Sequence, residues 1–185
     1  RWVASTADKR KYRPLSVRLM TDDFAGFRPT LLEFLAELER NNRRDWFAAN
    51  KRRYEQEVVM PSLAFISAMA AELERFAPCF RALPLRSGGS LMRIYRDTRF
   101  TRDKRPYKTN LGIQLRHEQG GDVHALAYYF HVDSREVFVG VGAWRPPAQA
   151  LTAIREHIHR NPRTWIAARD EPAFAARFAL SGESL

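Results

Sequence analysis

From Arg93 to Lys108 the chain reads Arg-Ile-Tyr-Arg-Asp-Thr-Arg-Phe-Thr-Arg-Asp-Lys-Arg-Pro-Tyr-Lys, seven cations against two acids and a local net charge of +5. Cations this dense repel one another unless an anion, carboxylates or water absorbs the charge. Arginine suits planar, bidentate recognition of phosphate or carboxylate and keeps its proton at any working pH. The pattern therefore points to a site for an anionic small molecule or phosphate ester. Arg93, Arg96, Arg99, Lys104 and Lys108 form the expected clamp, with Tyr107 as an aromatic wall or hydroxyl. Asp97, held ionised among so many cations, suits orientation of an arginine or a metal-bound water better than general-acid work. His131 is the reserve candidate for proton transfer, because imidazole titrates near neutrality. The catalytic candidates are thus Asp97 and His131; the sequence names neither a reaction nor a cofactor.

Two other readings use the same residues. Arg93 or Arg96 could pair with helix acids such as Asp45, Glu55 or Glu57 and simply bridge sheet to helices. Alternatively, the basic loop and the basic N-terminus could form one surface for nucleic acid or a protein partner. Weaker constellations add little. The run from Asn41 to Trp46 offers anion-binding N–H groups at a helix start, or only a helix stop and restart. His157 and His159 lie two apart on a helix and diverge, and His117, His124 and His131 lack ligand spacing, so no metal site is expected. P-loop, dinucleotide, zinc-protease and Gly-x-Ser-x-Gly patterns are absent.

The elements that must position the loop follow from periodicity. Pro29-Thr30 opens a helix, with Thr30 as cap and Leu31, Leu32, Phe34, Leu35 and Leu38 as its stripe. A second helix runs from about Arg43 to Val59, and Pro61 opens a third carrying Leu63, Phe65, Ile66, Met69, Leu73 and Phe76. Strand-like runs cover Leu91–Asp97, Thr109–His117, Ala125–Asp133 and Val137–Ala143, with turns at Gly120-Gly121-Asp122 and Asp133 to Glu136. Helices then resume at Pro147, Pro162 and Pro172. The order predicts a single α+β domain: N-terminal helices, a central antiparallel β-meander, and C-terminal helices packed on one sheet face.

Alternation assigns the faces. Leu111, Ile113 and Leu115 share one with Leu126, Tyr128, Phe130, Val132, Val137, Val139 and Val141. The opposite face offers Gln114, Arg116, Tyr129, His131, Gly140 and Gly142, a floor with room for a ligand. The two glycines could equally admit a packed helix. Arg93, Arg96 and Arg99 cannot share one side of a regular strand, so Thr98 to Pro106 should be a loop.

Bulk properties fit this picture. The 185 residues suit one domain with a real core. The net charge of +10 sits in two islands, residues 1–20 and 93–108, and the other 149 residues are balanced. A globally basic duplex binder is thereby disfavoured. Residues 1–22 are expected to be a poorly ordered basic arm, and residues 23–185 the domain. There is no apolar run of spanning length and hence no membrane expectation, and a single cysteine, Cys79, suits a reducing, cytoplasmic setting.

The stretch Arg93-Ile-Tyr-Arg96-Asp97-Thr-Arg99-Phe100, followed by Asp103-Lys104 and Tyr107, resembles the signature of a bacterial family of conserved hypothetical proteins, domain-of-unknown-function family 2461. Phe24-Ala-Gly-Phe27-Arg-Pro29, Asn41-Asn42-Arg43 and Gly140-Val-Gly142-Ala-Trp144-Arg-Pro146 extend the likeness from Phe24 to the end of the chain. The resemblance implies that 93–107 is one unit, and it supplies no activity. Family members run longer, which implies a further C-terminal segment; the basic arm lies outside the family pattern.

Overall fold

The structure is a computed structural model that describes residues 24–121 and 124–178. The expected basic arm, and part of the turn expected at Gly120-Gly121-Asp122, lie outside the described residues. Helix α1 spans Pro29–Arg40, and its cap lies two residues before the expected Thr30: Arg28 is the cap and Pro29 occupies the first turn. A proline there sacrifices an N–H that has no helical partner in any case. Leu31, Phe34, Leu35 and Leu38 are buried at helical spacing, whereas Leu32 points to solvent.

The two further helices predicted as separate elements form one continuous rod. Helix α2 (Arg44–Arg53) passes through a π-helical turn, Tyr54–Val59, into α3 (Met60–Phe76). Pro61 therefore lies near the start of α3 without breaking the rod. A proline removes one ladder bond, and the wider π turn sits where the bonding register changes. Ser62 Oγ donates to Val58 O at 2.6 Å inside this stretch. Arg53 ties the rod to α1 through Glu37 at 2.8 and 3.1 Å and lies over the Phe34 ring at 5.6 Å.

The sheet is antiparallel in the order β1-β2-β3-β4: Phe80–Arg81, Leu111–His117, Leu126–Val132 and Val137–Ala143. Register confirms the predicted faces: Ile113 stands opposite Phe130 and then Val139, and Gln114 opposite Tyr129 and then Gly140. The face carrying Leu111, Ile113 and Leu115 meets α1–α3 in the core. That cover stops short of β4, where Val137, Val139 and Val141 are exposed.

The C-terminal helices were expected to cover the sheet. Helices α4 (Ala148–Arg160), α5 (Pro162–Arg169) and α6 (Pro172–Ala175) instead contain no buried residue, and their consecutive members contact each other. Their apolar stripe is real but lies open, with Ile154, Trp165, Ile166 and Phe174 exposed. The helical layer on the sheet is supplied by the N-terminal half. Among the described residues no helix is long and apolar enough to cross a membrane.

Candidate functional site

The segment predicted as a regular first strand, Leu91–Asp97, is an irregular arm lying along β2 and the residues before it. Its bonds are Gln114 N to Ser90 O, Met92 N to Gly112 O, Lys108 N to Ile94 O and Arg96 N to Pro106 O, at 2.7–3.0 Å. Only two bridges are regular, Leu91 with Ile113 and Tyr95 with Tyr107. Four steps on one arm thus face six on the other. The surplus bulges out at Lys108, Thr109 and Asn110, and β2 begins at Leu111 instead of Thr109. Alternation cannot reveal such a bulge, because each half obeys its own period.

Between the arms the loop neutralises much of its own charge. Arg99 holds Asp97 through Nε at 3.0 Å and Nη2 at 2.7 Å. Asp103 accepts from Arg96 at 2.6 Å and from Arg105 at 2.8 Å, and Lys104 Nζ donates to Thr98 O at 2.8 Å. The Arg99 hydrogen bonds lower the Asp97 carboxyl to about 2. Arg105, with Arg96, depresses Asp103 as well. Asp97 therefore serves the loop's shape and lines neither cleft described below. The helix acids are occupied elsewhere: Asp45 with Arg43, Glu55 with Arg86, and Glu57 with Arg53. Sheet-to-helix bridging by Arg93 or Arg96 is not found among the described residues.

Tyr107 belongs to the core. It is 6% exposed and stacks on Phe47 at 4.2 Å. Buried Asn42 clasps its backbone, accepting from Tyr107 N at 3.0 Å and donating to Tyr107 O at 2.9 Å. The Asn41-Asn42 pair thus ends α1 and also pins the far end of the loop, a role invisible in sequence because its partner lies 65 residues away.

The pinned backbone delivers Lys108 into a small cleft of about 170 Å³ lined by Arg96, Arg105, Tyr107, Lys108, Thr109 and Asn110. Lys108 is partly buried, and its ammonium has no hydrogen bond or carboxylate partner among the described residues. Burial lowers its pKa, and the neighbouring charge of Arg93 lowers it further. Arg93 likewise forms no hydrogen bond or salt bridge with a described residue.

A larger cleft, about 470 Å³, opens on the sheet face away from the helices. Tyr129, His131 and Gln114 form its floor, and Met92, Phe138 and Trp144 flank it. Phe138 stacks on His131 at 4.7 Å and 9°. A Cβ on Gly140 would meet nothing within 4 Å, so this glycine opens space and admits no packed helix. At Gly112 the reverse holds, since a Cβ would lie 3.0 Å from Met92 Sδ and 3.1 Å from Tyr129 Oη. Arg116, expected on this floor, donates to Gly89 O at 3.2 Å.

Asn110 joins the two clefts. It lines the smaller one, and its Nδ2 donates to Tyr129 Oη and lies 3.4 Å from His131 Nδ1. Tyr129 Oη is 3.2 Å from the same nitrogen, and His131 Nε2 is 3.2 Å from Asp133 Oδ2. One tautomer satisfies the set: Nδ1 accepts, and the proton on Nε2 faces Asp133. Burial raises the Tyr129 hydroxyl pKa, partly offset by Asn110. The backbone N–H of Arg135, foremost, keeps Asp133 ionised. His131, Asp133 and Glu136 have ligand-type atoms within 4.8 Å of one another. One Asp133 oxygen is already committed to the turn amides of Arg135 and Glu136 at 2.7 and 2.8 Å.

The predicted residues thus divide. Arg96 and Lys108 meet at the smaller cleft, with Arg93 beside Lys108. Arg99 and Lys104 hold the loop, Tyr107 anchors it, and His131 belongs to the larger cleft. Asn110, Phe138, Trp144, Met92 and Asp133 were missed as site residues. Parity puts three of them on the open face, because Asn110 shares it with Gln114, and Phe138 and Trp144 share it with Gly140.

No curated protein and no solved structure matches the chain. The family model described as conserved hypothetical protein (DUF2461) matches residues 30–185, and the chain belongs to that family.

Proposed function

We propose that the domain binds a phosphate-bearing or similar small anionic ligand at the Lys108 cleft. The observation that carries this reading is the Lys108 ammonium, partly buried and without a counter-charge among the described residues, beside Arg93 and in a cleft that Arg96 and Arg105 also line. An unpaired buried charge is costly, and such a group is expected to have a partner. Arg96 and Arg105 share the single carboxylate of Asp103, so three cleft cations face one acid. The surplus suits a phosphate oxygen set. Arg99 and Lys104 act indirectly, by shaping the loop. Should the ligand react, His131 with Asp133 is the acid–base pair nearest the site, linked to it through Asn110.

Thermal shift with inorganic phosphate, sugar phosphates and nucleotides tests the reading on wild type, Lys108→Ala and Arg99→Ala. Stabilisation by at least one phosphate is expected, lost in Lys108→Ala and largely kept in Arg99→Ala. No stabilisation by any anion would refute it.

A second reading has its own observation. Phe100 is 94% exposed at the loop tip, with the Arg99 guanidinium 5.5 Å from its ring centroid. An exposed aromatic among cations can stack a base of single-stranded nucleic acid. Such binding would weaken steeply with salt and fall in Phe100→Ala, whereas one small anion in a cleft gives a shallow salt slope.

A further inference from the structure

The two clefts have no lining residue in common but are linked by the hydrogen bond from Asn110 to Tyr129, and their linings are chemically complementary. The smaller is cationic and, at about 170 Å³, has room for little more than an anionic group. The larger, about 470 Å³, falls within the usual range for organic ligands, and its lining is mostly apolar and aromatic. Asn110 stands between them, lining the first and bonded to Tyr129 of the second. The floor beside it is flat because Gly140 stands opposite Tyr129 across the β3–β4 ladder and presents no side chain. His131 and Phe138, already stacked face to face, continue that floor, and Trp144 supplies an aromatic edge.

Resting on the phosphate reading above, we infer that the ligand is a phosphate monoester carrying a planar aromatic group. The phosphate would sit at Lys108, and the ring would lie on the sheet over Gly140 between Tyr129, Phe138 and Trp144. Neither cleft alone explains the other. An inorganic anion leaves the aromatic floor unused, and a neutral aromatic leaves Lys108 without a counter-charge. A ring on such a floor gains dispersion and offset stacking, and an attached phosphate makes both contacts in one binding event.

The test is calorimetric titration of the full chain with inorganic phosphate, phenyl phosphate, adenosine monophosphate and adenosine. Adenosine monophosphate is expected to bind about ten-fold or more tightly than inorganic phosphate. Phenyl phosphate should fall between them, and adenosine should be the weakest of the organic probes. Gly140→Val separates this inference from its premise. Its new Cβ has open space, and valine suits a strand, so the fold should be kept while the floor is filled. In that variant inorganic phosphate should bind as in wild type, and the advantage of the aromatic esters should vanish. Lys108→Ala should weaken every phosphate probe together. If inorganic phosphate binds and the esters bind no better, or if Gly140→Val leaves their advantage intact, the inference is wrong and the anion reading stands. If no phosphate binds, both are wrong.

Discussion

Asn42→Ala should be among the most damaging single polar substitutions in this domain. Asn42 forms two hydrogen bonds with the Tyr107 backbone, at 2.9 and 3.0 Å, at a residue only 6% exposed. Alanine would leave a buried N–H and a buried C=O without partners, each costing about 1–3 kcal/mol. Water entering from the neighbouring cleft should offset part of this, leaving roughly 2–4 kcal/mol. For a domain of this size that corresponds to a Tm lowered by roughly 5–15 °C. Urea denaturation gives the free energy directly, and an unchanged m value would show that the folded state is still compact. Asn42→Asp sharpens the test. A carboxylate still accepts the Tyr107 N–H but opposes the Tyr107 carbonyl, so it should not restore wild-type stability. Because Lys108 follows Tyr107 directly, Asn42→Ala should also weaken phosphate binding at temperatures where the variant is fully folded. A stability within about 0.5 kcal/mol of wild type, the range of an ordinary surface change, would refute the clasp as an anchor.

Three other outcomes follow from the geometry. Asp97 is lowered from 3.8 to about 2 by Arg99, so its pairing is complete above pH 4 and is lost as pH falls through 2; a carboxylate NMR titration with a midpoint near 3.8 would contradict this. The Lys108 pKa is depressed below 10.5, so the protonated side chain opposes folding at neutral pH, and this cost fades as pH rises through its folded value. Lys108→Met should therefore be the more stable protein at pH 7 in phosphate-free buffer, with the gap shrinking towards pH 10.5 and on adding phosphate; a Lys108→Met protein less stable than wild type throughout would contradict it. Gly112→Ala brings a methyl to within 3.0 Å of Met92 Sδ and 3.1 Å of Tyr129 Oη, costing about 1–2 kcal/mol and displacing the tyrosine, as denaturation and Tyr129 ring shifts would show.

The sheet was legible in the sequence because a two-residue period assigns faces without any knowledge of partners. Leu111, Ile113 and Leu115 declared the core side, and Gln114, Tyr129, His131 and Gly140 declared the open side. The helices around Phe34 and Ile66 were legible for the same reason, at their own period. What escaped depends on partners distant in sequence. The bulge at Lys108–Asn110 exists only in the comparison of two arms. The π turn at Tyr54–Val59 is a choice between bonding registers that one apolar stripe does not encode. The C-terminal helices show an apolar stripe with no indication of what it meets, and no residue of theirs is buried.

Tyr107 shows a related limit. Flanked by Pro106 and Lys108 in the most charged stretch of the chain, it lines the smaller cleft, but its ring also stacks in the core on Phe47, a partner no local pattern announces. Local charge density says where anions are attracted, but only the acids' positions say which cations remain available. Asp97 and Asp103 sit two residues before Arg99 and Arg105, and each pair closes on itself. That spacing was present in the sequence; Asp103 also accepts from Arg96 on the first arm at 2.6 Å, a contact the spacing does not announce. Arg93 and Lys108, at the arms, are left without a salt bridge, and Lys108 lines the smaller cleft. Of the seven cations, Arg96, Arg99 and Arg105 are paired with the loop's own acids, so the loop is in part a self-paired frame and not a uniform positive surface. A charge-by-charge alanine scan should accordingly be uneven: Arg93→Ala and Lys108→Ala should weaken phosphate binding, while Arg99→Ala should chiefly loosen the loop. Equal losses at all three positions would favour a diffuse polyanion surface over a cleft.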